Sequence, residues 1–381
     1  MQRPVIIDLD QTDDPRDVVH RTVEALVEGK LVVIPTETVY GLAASALSPE
    51  AVERIAEIKG RDTHHPFALA VRSADVVADF VPDLPPLGER LARRAFPGPV
   101  TLVFETNHPD SLAQRLPASV IPRVRPHNTL GFRVPDHPVA LDILELLPGP
   151  LVLTSVNKSG DPPARSAEEV DAALGESIDI ILDDGPCRYG EPSSVVKITA
   201  DGRLEILRAG AVNEATLKRL SAVVILFVCT GNTCRSPMAE VLCRAKLSEK
   251  LGIPADKLDE HGVIVMSAGL SAFPGGAASP EAVEVLAERG LSLESHMSQQ
   301  AGDALIRYCD RIYTMTRSHR QAIVHHWPEV ETRVSVLAPD GSDICDPIGG
   351  SKDVYRQCAD QIDQALEQRL GELLATIGQP T

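Results

Sequence analysis

The stretch "CTGNTCRS" at residues 229–236 stands directly after the apolar run "VVILFV". A strand that feeds a glycine-containing loop and then a helix N-terminus makes an anion site. Successive backbone N–H groups point inward, and the helix dipole favours negative charge. A cysteine opening such a loop has its thiolate stabilised by the same field. Cys229 is therefore a candidate nucleophile toward phosphorus, and Arg235 can close over two phosphoryl oxygens with its planar fork. In-line attack by Cys229 gives a phosphocysteine intermediate. Thr230, Gly231, Asn232, Thr233, Cys234 and Ser236 complete the cradle. A second set lies in the first half. "PTETVYGLAA" (35–44) puts Thr36, Thr38 and Tyr40 at a turn after a strand, and "KGR" (59–61) ends a helix with Lys59 and Arg61, two cations suited to a triphosphate.

These groups belong to a chain of 381 residues, long enough that two domains are expected. Hydrophobic content of 43% and charged content of 24% are those of a soluble globular protein. No apolar run approaches the ~18 residues that cross a bilayer, and "MQRPVIIDLDQTDD" lacks the basic-then-apolar order of a signal peptide. The expected compartment is the cytoplasm, with seven reduced cysteines and no membrane partner. Net charge is −17, divided as −11 over residues 1–213 (21 basic, 32 acidic) and −6 over the remainder (16 basic, 22 acidic). With aromatics at 3%, this argues against strong direct nucleic-acid binding.

The elements that must hold these residues differ between the halves. In the first, "KLVVIP" (30–35), "VTLVFE" (100–105), "LGFRVP" (130–135), "PLVLTS" (150–155), "IDIILD" (178–183), "SSVVKIT" (193–199) and "LEILR" (204–208) read as strands. "SPEAVERIAEIK" (48–59) reads as a helix capped by Ser48 with Pro49 in its first turn. The pattern predicts a large mixed sheet without fixing strand order. In the second half, "VVILFV" (223–228), "VIVMSA" (263–268), "RIYTM" (311–315) and "VSVLA" (334–338) alternate with helices starting at Ser236-Pro237 and Ser279-Pro280. The last helix carries Val354, Cys358, Ile362, Leu366, Leu370, Leu373 and Leu374 at three- and four-residue steps. That is a doubly wound, four-stranded parallel sheet. The expected organisation is α/β with two domains, 1–212 and 223–381, joined by a linker at 213–222.

At this point "FVCTGNTCRSPMAE" resembles the low-molecular-weight protein tyrosine phosphatase family, and the likeness runs from about residue 223 to 377. "SAG" (267–269) and "DPIGGSKDVYRQC" (346–358) are similar to its second strand end and its late loop. Taken alone, an Asp-Pro pair before a helix is a cap; the resemblance makes Asp346 the general acid that protonates the leaving group. Cys234 matches a family cysteine able to form a reversible disulfide with Cys229. Tyrosine-specific members carry a branched aliphatic residue where Thr233 stands, and aromatics after Asp-Pro, where this chain has Ile348 and Gly349. A phenyl ring needs apolar walls, whereas a small hydroxyl leaves room for a more polar group. "CTGNTCRS" with "DPIGGS" resembles the protein-arginine phosphatase branch, which implies phosphoarginine in a phosphoprotein; phosphotyrosine stays open as the alternative. Cys309, Cys345 and Cys358 are too scattered to match the closely spaced resolving cysteines of arsenate reductases on the same scaffold. No cofactor is expected for this half.

"FPGPVTLVF" (96–104), "NTLGFRVPDHP" (128–138), "SVNKSGDPP" (155–163), "PSSVV" (192–196) and "ILRAG" (206–210), in that order, resemble the YrdC-like threonylcarbamoyl-AMP synthase family over about residues 15 to 212. The resemblance implies an open, concave, twisted mixed sheet whose groove binds ATP, L-threonine and bicarbonate, with Mg²⁺ on the phosphates and no metal ligand from protein side chains. By match, Lys59, Arg61, His65, Thr129, Ser155, Asn157 and Arg208 serve the nucleotide. Thr38 and Arg133 hold threonine, and Ser193 and Ser194 stand where the family has Ser-Thr near that site. Asp62, His65 and Ala70 depart from the family's usual residues. The implied product is threonylcarbamoyl-AMP, passed to downstream proteins that modify tRNA. The alternative is a nucleotide- or RNA-binding module.

Overall fold

A computed structural model describes residues 3–60, 65–157 and 162–378. The chain divides into two compact units, Met1–Leu220 and Ser221–Thr381, each with its own core.

The first unit is built on a ten-stranded sheet: β1 (Val5–Asp8), β2 (Val32–Ile34), β3 (Gly41–Ser45), β4 (Ala68–Ala70), β5 (Val100–Glu105), β6 (Thr129–Arg133), β7 (Leu151–Ser155), β8 (Ile180–Asp183), β9 (Ser194–Ile198) and β10 (Leu204–Arg208). The spatial order is β1-β8-β2-β3-β7-β4-β6-β5-β9-β10, with parallel and antiparallel pairs mixed. All seven predicted strands are present. Strands β1, β3 and β4 are additions. "GLAAS" and "ALA" are small-residue segments with no β-branched side chain, so propensity gives no sign of them. Alternation then assigns faces. Leu102, Phe104, Leu130, Phe132 and Val152 point into one core, while Thr101, Val103, Thr129, Gly131 and Arg133 face the other way, over a cavity. The helices Pro15–Val27 and Pro138–Leu146 cover that second face over β2, β3, β7, β8 and the end of β4. The rest stays open.

The helix Pro49–Lys59 starts as expected, with Ser48 Oγ accepting from the Ala51 N–H at 3.4 Å. It ends at Gly60, whose φ of 57° suits a left-handed cap. Its buried face includes Lys59. The segment 213–222, expected as a linker, contains a helix, Glu214–Ser221. Leu217 lies in the first unit's core, and Arg94 Nη1 donates to Leu220 O at 2.7 Å. Leu217 is the buried residue of this helix, and the boundary between units falls after it, between Leu220 and Ser221.

The second unit is a four-stranded, all-parallel sheet of β11 (Val223–Cys229), β12 (Val263–Gly269), β13 (Arg311–Thr314) and β14 (Val334–Val336), in the order β12-β11-β13-β14. The order reverses between β11 and β13, so a ligand crevice is expected at the carboxyl end of β11. Cys229 is its last residue. The C-terminal helix Lys352–Ile377 buries Cys358, Ile362, Leu366, Leu370 and Leu373 against the helix Arg235–Leu251. Each such leucine or isoleucine contributes about 1.5–3 kcal/mol. Among the described residues no helix is long and apolar enough to cross a membrane.

Candidate active sites

In the first unit, a cavity of about 260 Å³ lies on the uncovered face of the sheet. Its floor is made by alternate residues along β5, β6 and β9 and by the end of β7, and Gly41, Ala68 and Gly131 keep that floor low. Thr129, Arg133, Ser155, Ser193 and Arg208, distant in sequence, all line it. Arg133 is 8% exposed; its Nη2 donates to Thr38 Oγ1 at 2.6 Å, to Thr36 Oγ1 at 3.3 Å and to Glu37 Oε1 at 2.9 Å. Its Nε is buried with no hydrogen-bond partner among the described residues. A buried guanidinium with one free edge beside two hydroxyls is built to accept a carboxylate.

Glu37 is the residue that motif reading passed over. At 3% exposure it pairs with Arg133 through Oε1, while Oε2 accepts the Asp136 N–H at 3.0 Å. The only sequence sign is an acidic residue inside a segment otherwise apolar or hydroxylated. Tyr40 is fully buried, bonding Asp183 Oδ1 at 3.1 Å and Gly185 O at 2.8 Å, and burial raises its phenol pKa. It thus anchors the loop that follows β8.

Lys59 is 2% exposed; its Nζ donates to Ser155 O at 2.8 Å, to Asn157 Oδ1 at 2.9 Å and to Asn157 O. Ser155 Oγ in turn donates to Asn157 Oδ1 at 2.6 Å. The lysine and the Ser-x-Asn motif thus form one cluster at the end of β7. Arg208 donates to Ser193 O at 2.8 Å and to Ser193 Oγ at 3.2 Å. Ser194 is turned the other way, exchanging hydrogen bonds with Val212 O and N at 2.7 and 3.0 Å, because neighbouring strand residues face opposite sides. The structure therefore corrects its placement at the threonine site: Ser194 ties the chain down, and Ser193 alone of the pair faces the cavity. His65 is exposed beside Pro66, a cavity residue. Arg61 and Asp62 lie outside the described residues.

In the second unit, the loop Thr230–Cys234 folds over the Cys229 sulfur. Asn232 N donates to Cys229 Sγ at 3.2 Å, and Ser236 Oγ lies 3.0 Å from it. Asn232 adopts a φ of 57°, accessible to Asn at modest cost, and is fully buried. Its Nδ2 donates to Ser236 Oγ at 3.0 Å and Ser267 Oγ at 2.9 Å, and its Oδ1 accepts the Gln299 N–H at 2.9 Å. The loop is also stitched to its neighbours by Leu270 N to Cys229 O (3.0 Å), Ser271 N to Thr230 O (2.9 Å) and Ser279 N to Thr233 O (2.9 Å). A Cβ on Gly269 would lie 2.5 Å from Thr230 O, so the strand end must be glycine.

The helix after the loop starts at Arg235, one residue earlier than expected. Ser236 is not its cap, since its hydroxyl is engaged with Cys229, Asn232 and Ala268 O. Arg235 is 5% exposed and pairs with Asp346 Oδ2 at 2.5 Å, bringing the helix start and the late loop together next to Ser236, which contacts Cys229. Asp346 itself is half-exposed. Thr233 is half-buried beside Cys234 Sγ at 3.6 Å, and a Cβ on Gly231 would meet Thr233 Oγ1 at 3.6 Å. Cys234 Sγ meets Tyr355 OH at 3.4 Å, a phenol whose pKa is pushed up to about 12 by burial and by that thiol. His319, absent from any motif, bridges Thr230 Oγ1 and Thr316 Oγ1 at 2.9 Å each; burial and the Arg235 charge lower its pKa. Glu240, packed behind Ser267 (2.7 Å), has its pKa raised by burial.

Comparison with known proteins divides the chain at the same place. Residues 24–210 match the family model described as Telomere recombination (Sua5/YciO/YrdC), and residues 224–379 match Low molecular weight phosphotyrosine protein phosphatase. A threonylcarbamoyl-AMP synthase of Pyrococcus abyssi is 40% identical over 174 residues, 45% of this chain and 48% of that protein; this chain thus spans about half of that relative's length. A protein-arginine-phosphatase of Bacillus subtilis is 39% identical over 153 residues, 39% of this chain and 95% of that protein. A solved structure of P. abyssi Sua5 has a TM-score of 0.50 and 26% identity, covering 69% of this chain and 91% of its own. With a ten-stranded mixed sheet in one unit and a Cys–Arg loop on a 2-1-3-4 parallel sheet in the other, the chain belongs to the Sua5/YciO/YrdC family through its first unit and to the low-molecular-weight phosphotyrosine protein phosphatase family through its second.

Proposed function

We propose that the chain is a bifunctional enzyme: a threonylcarbamoyl-AMP synthase followed by a cysteine-dependent phosphatase that prefers phosphoarginine in proteins. For the first activity, the supporting observation is the half-satisfied Arg133 held by Glu37 and Thr38 at the edge of the 260 Å³ cavity. Arg133 Nε takes the threonine carboxylate, and Thr38 takes part in orienting the amino acid. The amine, carboxylated by bicarbonate-derived CO₂, attacks the α-phosphorus of ATP through its carbamate oxygen, and pyrophosphate leaves. Arg208 and the Lys59–Asn157 cluster serve the nucleotide end, where Thr129 and Ser155 supply hydroxyls and Arg61 and His65 are further candidates by family match. Mg²⁺ shields phosphate charge when bound with ATP. The product goes on to tRNA-modifying proteins in the cytoplasm. Threonine-dependent pyrophosphate release from ATP tests this, and its absence at saturating threonine and bicarbonate leaves only a binding module.

For the second activity, the supporting observation is a Cys229 sulfur facing Asn232 N and Ser236 Oγ, with Arg235 and Asp346 paired at its rim. Cys229 attacks phosphorus in line and the P–N or P–O bond breaks. Asp346 gives its proton to the leaving atom and then takes one from the water that hydrolyses phosphocysteine. Thr233 and Ile348, the latter 72% exposed with Gly349 behind it, offer no aromatic wall for a phenyl ring. We expect phosphoarginine peptides to be cleaved faster than phosphotyrosine peptides, with Cys229→Ser as the blank. Thr233→Ile should move the ratio toward tyrosine by about 10-fold, the scale of one altered pocket contact. A wild type that prefers phosphotyrosine tenfold refutes the arginine assignment.

A further inference from the structure

Cys345 and Cys358 are thirteen residues apart in sequence, yet they meet beside Asp346. Cys358, on the C-terminal helix, is fully buried, and its Sγ donates to Cys345 O at 3.3 Å, which places the backbone of Cys345 directly over that thiol. Cys345 is exposed. The segment that carries it is clamped on the same helix: Gln361 Oε1 accepts the Cys345 N–H at 3.0 Å, and Gln361 Nε2 donates to Asp343 O at 3.1 Å. Ile344 N donates to Met315 O at 2.8 Å, fixing the other side. The segment that carries Cys345 is thus held on the helix that carries Cys358 by bonds that use neither thiol.

We propose that Cys345 and Cys358 form an oxidisable dithiol, a modification site separate from the phosphate loop, whose disulfide displaces Asp346. The oxidant is a peroxide. The exposed Cys345 sulfur attacks the O–O bond, giving a sulfenic acid and one water. Cys358 sulfur then attacks Cys345 sulfur, the S–O bond breaks, and the hydroxyl leaves as a second water with the thiol proton. Two thiols lose two electrons and one peroxide gains them. Closure draws the sulfurs to about 2.05 Å. Closure shifts Cys345, and the next residue, Asp346, shifts with it out of its present pairing with Arg235. A misplacement of ~1 Å in a catalytic group costs up to about 10²-fold in rate.

Trypsin puts Cys345 in peptide 334–352, Cys358 in 357–369, and both loop cysteines in 220–235. Full-length protein is treated with hydrogen peroxide, free thiols are alkylated, and the digest is mapped without reduction. The expected product is the 334–352/357–369 cross-link, reversed by dithiothreitol and absent from Cys345→Ser and Cys358→Ser. Finding both peptides alkylated while 220–235 oxidises overturns the proposal. The mass readout needs no substrate, so it stands apart from the phosphatase reading on which the Asp346 consequence rests. At matched Cys229 thiol content, oxidised wild type should turn over about 10- to 100-fold more slowly than equally treated Cys345→Ser. Equal rates overturn the coupling to Asp346.

Discussion

Replacing Asn232 by alanine removes the hub of the phosphate loop, and the cost follows from its bonds. Three side-chain hydrogen bonds of 2.9–3.0 Å are lost from a fully buried position. At about 1 kcal/mol each they amount to about 3 kcal/mol. The Gln299 N–H is left without its acceptor, while Ser236 and Ser267 keep other partners in Ala268 O and Glu240. Holding alanine at a φ of 57° adds about 1–2 kcal/mol, where asparagine is tolerated. The sum is about 4 kcal/mol. For a unit of this size each kcal/mol lowers Tm by about 2–4 °C, so a fall of about 8–16 °C is expected. Trp327, the single tryptophan of the chain, is buried in the second unit, so its fluorescence reports that unit's unfolding alone. Asn232→Gly relieves the backbone part and should recover about 1 kcal/mol of the loss. A shift of Asn232→Ala under about 3 °C, or a glycine variant less stable than alanine, refutes the view that this residue organises the loop.

Glu37→Gln keeps the acceptor for Asp136 N but breaks the buried pair with Arg133; losing one partner of such a pair costs about 3–5 kcal/mol. Threonine KM should rise about 10-fold or more with ATP KM little changed, and equal rises in both would show a general folding defect instead. Gly269→Ala places a methyl 2.5 Å from Thr230 O and 2.8 Å from Asn232 N, so phosphatase kcat should drop about 100-fold, read with an aryl phosphate. The His319 pKa lies below 6.5 in the folded unit, so the unfolded chain takes up its proton first as pH falls. The contribution of neutral His319 is complete above pH 6.5 and is lost below it. The Trp327 transition of wild type should therefore fall more between pH 7 and 5 than that of His319→Gln, and parallel curves would remove His319 from the account.

Contiguous residues carried most of what could be read directly. A loop whose own backbone amides form the anion site is encoded over eight residues. Cys229, Asn232 and Arg235 were therefore legible from "CTGNTCRS" with its preceding strand, and the parallel sheet followed from four apolar runs alternating with helices. The seven strands rich in branched residues were legible in the same way. Order was not, because a period of two says which face a side chain takes and nothing about which strand lies beside it. Tertiary pairing alone set Glu37 on Arg133 across 96 positions and Lys59 on Asn157 across 98. It also turned Ser194 toward Val212, folded the expected linker into the first core, and brought Cys345 onto Cys358. Each of these is a contact between separate elements, and its free energy exists only once burial has removed water from both partners.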